Sequence, residues 1–159
     1  MGQFQSAEKQ AVELSNAARD GDVSKVKSLL ARGANPNHPE YHLLHIVCWN
    51  GNLETVKAFV EAGADTGRWN ARGRSPFHCA AWGGRKEVLV YLIRDCKCSA
   101  DTRDQNNNTP LHYACSGGHP GVVQYLVEEA HCDISEYHNF ICLRIMYTNA
   151  CVNIIIQMW

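Results

Sequence analysis

Three histidines, His45, His78 and His112, recur along the chain at separations of 33 and 34 residues. Histidine readily binds a metal or passes a proton near neutral pH, so a regular row of them could form a ligand set or a relay. A second group with metal-ligand chemistry is Cys96-x-Cys98 together with His131-Cys132. Zinc requires its sulfur ligands about 2.3 Å from one shared centre, and the CxxC spacing that usually presents two of them is absent. A third group is the run Arg68-Trp69-Asn70-Ala71-Arg72-Gly73-Arg74. Three guanidinium groups and an indole this close together suit an acidic or phosphorylated partner, although a solvated charged turn has the same composition. Finally, Trp49 and Trp82 lie 33 residues apart, and tryptophan is among the residue types most enriched at binding hot spots. No GxSxG, HExxH or P-loop pattern accompanies any of these groups, so no enzyme is expected.

A single domain must position these groups, because 159 residues leave room for one. A composition of 45% hydrophobic and 19% charged residues supports a packed core and excludes disorder along the whole chain. Fifteen Lys and Arg against sixteen Asp and Glu leave a formal charge of −1. A phosphate-driven nucleic-acid binder carries a basic excess, so no nucleic acid is expected as partner. No apolar run is long enough to span a membrane, and the first residues lack the apolar stretch of a secretory signal. The eight cysteines sit singly or in one CxC pair. They fit small buried hydrophobes in a reducing, intracellular compartment, the cytoplasm or else the nucleus.

The positioning elements repeat. With Gly21, Gly51, Gly84 and Gly118 as anchors, apolar residues follow in phase: Val26, Val56, Leu89 and Val123 five positions on, then Leu29, Phe59, Leu92 and Leu126 eight on. Nine on come Leu30, Val60, Ile93 and Val127, completing the apolar stripe of an amphipathic helix. Upstream of the anchors stand Ala17-Ala18, Val47-Cys48, Ala80-Ala81 and Ala114-Cys115, small enough for a second helix to pack closely. Ser75-Pro76 and Thr109-Pro110 mark starts of that helix: the hydroxyl can cap free backbone N–H groups, and proline at the first helical position loses no needed donor. Each unit therefore reads as helix, glycine turn, helix, polar loop.

The run Thr109-Pro110-Leu111-His112-Tyr113-Ala114, with its variant Ser75-Pro76-Phe77-His78-Cys79-Ala80, resembles the ankyrin-repeat signature T-P-L-H-x-A. Gly33-Ala34-Asn35 and Gly63-Ala64-Asp65 resemble the element that closes the second helix in that family. The resemblance covers about residues 8 to 136. It implies an all-α solenoid of about four helix-turn-helix units, near 8–36, 37–69, 70–103 and 104–136, with a degenerate, truncated fifth over 137–159. It further implies that the histidines are structural and tie loop to helix. Cys98 and Cys132 then fall one repeat apart, a spacing of about 10 Å that opposes a shared zinc. Cys96, Cys98, His131 and Cys132 stay the only metal candidates, and neither metal nor cofactor is expected.

Departures from the repeat carry their own expectations. Ser15 stands in for the histidine in the first unit, on a helix from about Glu8 to Arg19. His42-Leu43-Leu44-His45 lacks both hydroxyl and proline and should start its helix weakly. Cys96 and Ala130 stand where the closing glycine is expected in the third and fourth units, and Asn107 replaces a turn glycine. The run Ile154 to Trp159 is apolar where an end repeat should be polar, which fits truncation or docking, self-association included.

Stacked units of this type offer a groove and a row of loop tips but no deep catalytic pocket. The resemblance implies a protein–protein interaction module, an adaptor, scaffold or regulatory binder. In that family the groove-facing pair precedes each anchor, here Arg19-Asp20, Trp49-Asn50, Trp82-Gly83 and Ser116-Gly117. Trp49, Asn50, Trp82 and Ser116, with Arg68, Trp69, Arg72 and Arg74 from the tip, are the candidate contacts for another protein. Trp49 and Trp82 should stand side by side as an aromatic platform, unless both fold back as packing. The rival reading is a fragment of a longer array or multidomain protein whose activity lies elsewhere. A further alternative is a membrane-tethered adaptor: Met1-Gly2-Gln3-Phe4-Gln5-Ser6 matches the N-myristoylation pattern at Gly2. One such chain binds membranes only marginally, and no second anchoring signal lies nearby.

Overall fold

The computed structural model describes residues 2–132, with side chains from Ala7 onward. Eight α-helices form four antiparallel pairs: α1 (Gly2–Asp20) with α2 (Val23–Ala31), α3 (Leu43–Asn50) with α4 (Leu53–Glu61), α5 (Pro76–Trp82) with α6 (Lys86–Arg94), and α7 (Pro110–Ser116) with α8 (Pro120–Gln124). The last helix runs on as one wider π turn, Tyr125–Glu129. Among the described residues there is no strand. Helices α1, α3, α5 and α7 lie side by side in an inner row, and α2, α4 and α6 form an outer row behind it.

The phased apolar residues explain this stacking. Val26, Val56, Leu89 and Val123 are each buried to 1% exposure or less, and Phe59, Leu92 and Leu126 are fully buried. Burying each such side chain stabilises the fold by roughly 1.5–3 kcal/mol, so every unit depends on its neighbours to cover its stripe. The small pairs before the anchors, from Ala17-Ala18 to Ala114-Cys115, are also buried and let the inner helices approach closely. The anchors themselves turn with positive φ, 82° at Gly51 and 71° at Gly84, where a side chain would be strained. Asp22 and Asn52 then open α2 and α4 by accepting from the backbone N–H groups of Lys25 and Thr55 at 2.9 and 3.1 Å.

Helices α5 and α7 begin as their Ser-Pro and Thr-Pro runs suggest, with a capping box in which histidine takes the usual Glu or Gln position. The backbone N–H of Ser75 donates to His78 Nδ1 at 3.2 Å, and that of Thr109 to His112 Nδ1 at 3.1 Å. The start of α3 differs as expected. His42 occupies the cap position in a left-handed conformation (φ 42°) and makes no side-chain capping bond. As a result, Nδ1 of both His42 and His45 is buried without a hydrogen-bond partner. Replacing His42 with threonine should draw the cap backbone out of the left-handed region into the extended form of Ser75 and Thr109, restore the box around His45 and raise stability by about 1 kcal/mol in a urea titration. No gain would mean that something other than the missing cap holds this helix start.

Two expectations need correction. Helix α1 starts at Gly2 rather than near Glu8, because the intervening residues contain no proline or breaker and continue as helix formers. The turn closing the third and fourth units is carried by Lys97 (φ 59°) and His131 (φ 52°), one residue beyond Cys96 and Ala130. In the first two units the backbone N–H of Ala34 and Ala64 reaches back to Leu29 and Phe59, whereas that of Cys98 and Cys132 reaches one residue further, to Leu92 and Leu126. The outer helices of units three and four thus end one residue wider. The degenerate repeat at 137–159, with its apolar run and suggested self-association, lies outside the described residues.

Candidate binding groove

The inner helices end in the paired positions that face the groove. Trp49 ends one turn of α3 and Trp82 closes α5; their rings stack with centroids 6.1 Å apart and planes 13° apart. They stay exposed, at 56% and 39%, although most large apolar side chains among the described residues are buried or partly buried. Gly83 permits the arrangement: a Cβ there would lie 2.6 Å from both the Trp49 ring and its carbonyl oxygen. Ser116 continues the row, exposed, at the end of α7.

The arginine-rich tip divides. Asn70 accepts from the backbone N–H groups of Arg72 and Arg74 and shapes a tight turn completed by Gly73 at φ 63°. Arg68 is turned back onto the loop that opens its own unit, donating to the carbonyls of Asn37 at 2.6 Å and Pro39 at 3.2 Å. Arg74 lies over two rings, its guanidinium 4.6 Å from the centroid of Trp82 and 4.7 Å from that of Tyr113. Arg72 remains exposed, as does Trp69, whose ring tilts toward that of His78. Asn50 is exposed, but its amide nitrogen donates to the carbonyls of Ala18 and Arg19 and so caps the end of α1.

Platform and tip enclose one pocket of about 290 Å³. Ile46, Trp49, Cys79 and Trp82 line its helix side, and the run Asn70 to Arg74, without Gly73, lines its loop side. The sequence offers the tryptophan pair and the tip as two separate candidate contacts, and the fold makes them two walls of one pocket. Sequence reasoning missed Tyr113, which pins Arg74 and donates to Asp104 Oδ2 at 2.6 Å. An aromatic residue directly after His112 in the signature was the available signal.

The histidines hold this architecture. Two of them span units: His45 Nε2 donates to the Arg74 carbonyl at 2.9 Å, and His78 Nε2 to the Asn108 carbonyl at 3.2 Å. Because His78 Nδ1 accepts from a backbone N–H, its ring must be the neutral Nε2–H tautomer. Burial pushes the pKa of His45 down to about 4 and lowers those of His78 and His112. Asn107 takes the turn position at φ 64°, between backbone bonds that run from Asp104 to Asn108. Arg85 and His119, each directly after an anchor glycine, clamp the carbonyls of Trp49 and Trp82 at 2.8 Å.

Among the described residues, no group of three or more His, Cys, Asp or Glu converges to hold a metal. Cys96 lies beside Tyr91 and Cys98 beside Thr66, Cys132 is buried, and His131 is exposed. Burial raises the thiol pKa of both Cys96 and Cys98, away from the thiolate that zinc binds.

Stacked helix pairs with histidine-stapled units define an ankyrin-repeat protein, and the family model for ankyrin repeats matches in three copies, at residues 14–104, 44–138 and 84–154. The chain belongs to that family. It is 37% identical over 94 residues to the Notch-regulated ankyrin repeat-containing protein of Homo sapiens, a match covering 55% of this chain and 82% of that protein. The Notch-regulated ankyrin repeat-containing protein B of Danio rerio is 38% identical over 91 residues, 53% of this chain and 82% of its own. Myotrophin of Xenopus tropicalis is 48% identical over 44 residues, 28% of this chain and 37% of its own.

Proposed function

We propose that this chain is a protein-recognition module, an adaptor or regulatory binder, whose contact surface is the groove formed by Trp49, Trp82 and the Arg72–Arg74 side of the tip. Ankyrin repeats generally mediate protein–protein interaction, and they are typically binding modules rather than enzymes. The observation that carries the reading here is the stacked, exposed tryptophan pair beside a pocket. Two indoles left facing water are costly unless a partner covers them, and tryptophan heads the list of hot-spot residues. Relatives named as Notch-regulated support a setting in intracellular signalling. No helix among the described residues is long and apolar enough to cross a membrane.

The test is a lysate pull-down read by mass spectrometry, comparing the full chain with a Trp49→Ala, Trp82→Ala double variant that retains its circular-dichroism melt. Partners captured by the wild type should be lost by the variant. Retention of all of them would make the platform ordinary packing.

A further inference from the structure

Resting on the groove reading, the charges of the pocket narrow its partner. Although the chain as a whole carries a formal charge of −1, the charged side chains lining this pocket are Arg72 and Arg74, with no carboxylate among its lining residues. His42 and His45 also line it, and burial lowers the pKa of both, so they are neutral at pH 7. Neither arginine makes an ion pair among the described residues. Arg74 is fixed by the Trp82 and Tyr113 rings, and its Nε is buried without a hydrogen-bond partner. Asp104, the carboxylate bonded to Tyr113, is already saturated by Tyr113, Asn106 and Asn108. The site therefore presents one guanidinium fixed over two rings, Arg74, and one exposed one, Arg72, next to a flat apolar surface, with no ion pair to either.

We propose that the pocket receives a carboxylate side chain, Asp or Glu, carried next to an aromatic or aliphatic residue on a segment of the partner protein. The carboxylate accepts from Arg72 and from the free edge of Arg74, while the apolar neighbour lies on the Trp49–Trp82 pair. A carboxylate fits better than a phosphate here. One bidentate guanidinium satisfies a carboxylate, whereas phosphate recognition draws on arginine clusters, and the only cations lining this pocket are Arg72 and Arg74.

The experiment is a display selection of random dodecapeptides on the full chain. Dissociation constants follow by fluorescence anisotropy for one selected peptide, its Asp/Glu→Asn/Gln version and its phosphoserine version. Selected peptides should carry Asp or Glu within two residues of Trp, Phe or Leu. Amidation should weaken binding by roughly tenfold, and Arg72→Gln should weaken the acidic peptide equally but the amidated one little further. Equal affinity of acidic and amidated peptides, tighter binding of the phosphopeptide, or no enrichment at all overturns the proposal. Peptides that lack an acid yet are lost by Trp49→Ala, Trp82→Ala would overturn the carboxylate while leaving the groove reading intact. Peptides unaffected by that double variant would remove the groove reading itself.

Discussion

Between pH 7.5 and pH 5, the chain should lose about 2 kcal/mol of folding stability through His45 alone. The folded pKa of this histidine is pushed down to about 4, chiefly by burial, with the neighbouring His42 and Arg68 acting in the same direction. A group whose folded pKa is depressed contributes stability that is complete above its unfolded value, about 6.5, and is lost as pH falls toward the folded one. The loss therefore begins near pH 6.5 and reaches about 3 kcal/mol at pH 4. His78 and His112, also lowered by burial, add to it with the same sign. Asp104 does not contribute in this window. Burial would raise its carboxyl, but hydrogen bonds from Tyr113, Asn106 and Asn108 hold it below the ordinary range, so its contribution is lost only in stronger acid. Urea titrations at the two pH values measure the effect, and His45→Gln should flatten the dependence by about 2 kcal/mol. An unchanged pH dependence in that variant would show that the ring is not held neutral by the fold.

The second large effect is expected from His78→Ala. Alanine leaves the buried backbone N–H of Ser75 and the carbonyl of Asn108 without this side chain as partner, and opens space beside the Tyr113 ring. The Asn108 carbonyl keeps its bond from the Asp104 N–H, but the unsatisfied Ser75 N–H costs about 1–3 kcal/mol, and the cavity adds to the loss. A total near 3 kcal/mol lowers the melting temperature of a domain this size by roughly 6–12 °C. A drop of less than 2 °C would contradict the staple between units three and four. Because solenoid units are stabilised by their neighbours, the damage should extend across both units rather than stay local.

Most of the fold was legible in the sequence because repetition multiplies weak signals. One apolar i, i+3, i+4 stripe fits any amphipathic helix, but four in phase with the same glycine specify stacking, and Val26, Val56, Leu89 and Val123 are all buried accordingly. The uncapped start of α3 followed from the missing hydroxyl at His42. What was not legible is geometry without a period. The extra residue that moves the closing turn to Lys97 and His131 depends on how an outer helix ends, and a lysine or histidine in a left-handed turn leaves no mark like glycine's. The tip could not be divided from composition either. Arg68, Arg72 and Arg74 are equivalent as letters, yet one binds carbonyls of the loop that opens its unit, one is solvent-facing and one lies over two rings. Only the stacking of unit four on unit three, which brings Tyr113 beside Arg74, separates those roles.

The central claim is that Trp49 and Trp82 are exposed for recognition and not for packing. It is tested most directly by the dissociation constant of the strongest captured partner, measured for the wild-type chain and for Trp49→Ala, Trp82→Ala, with a urea titration of each. Recognition through the pair predicts at least about a hundredfold loss of affinity with the cooperative unfolding transition retained. An unchanged dissociation constant in a folded variant would contradict it.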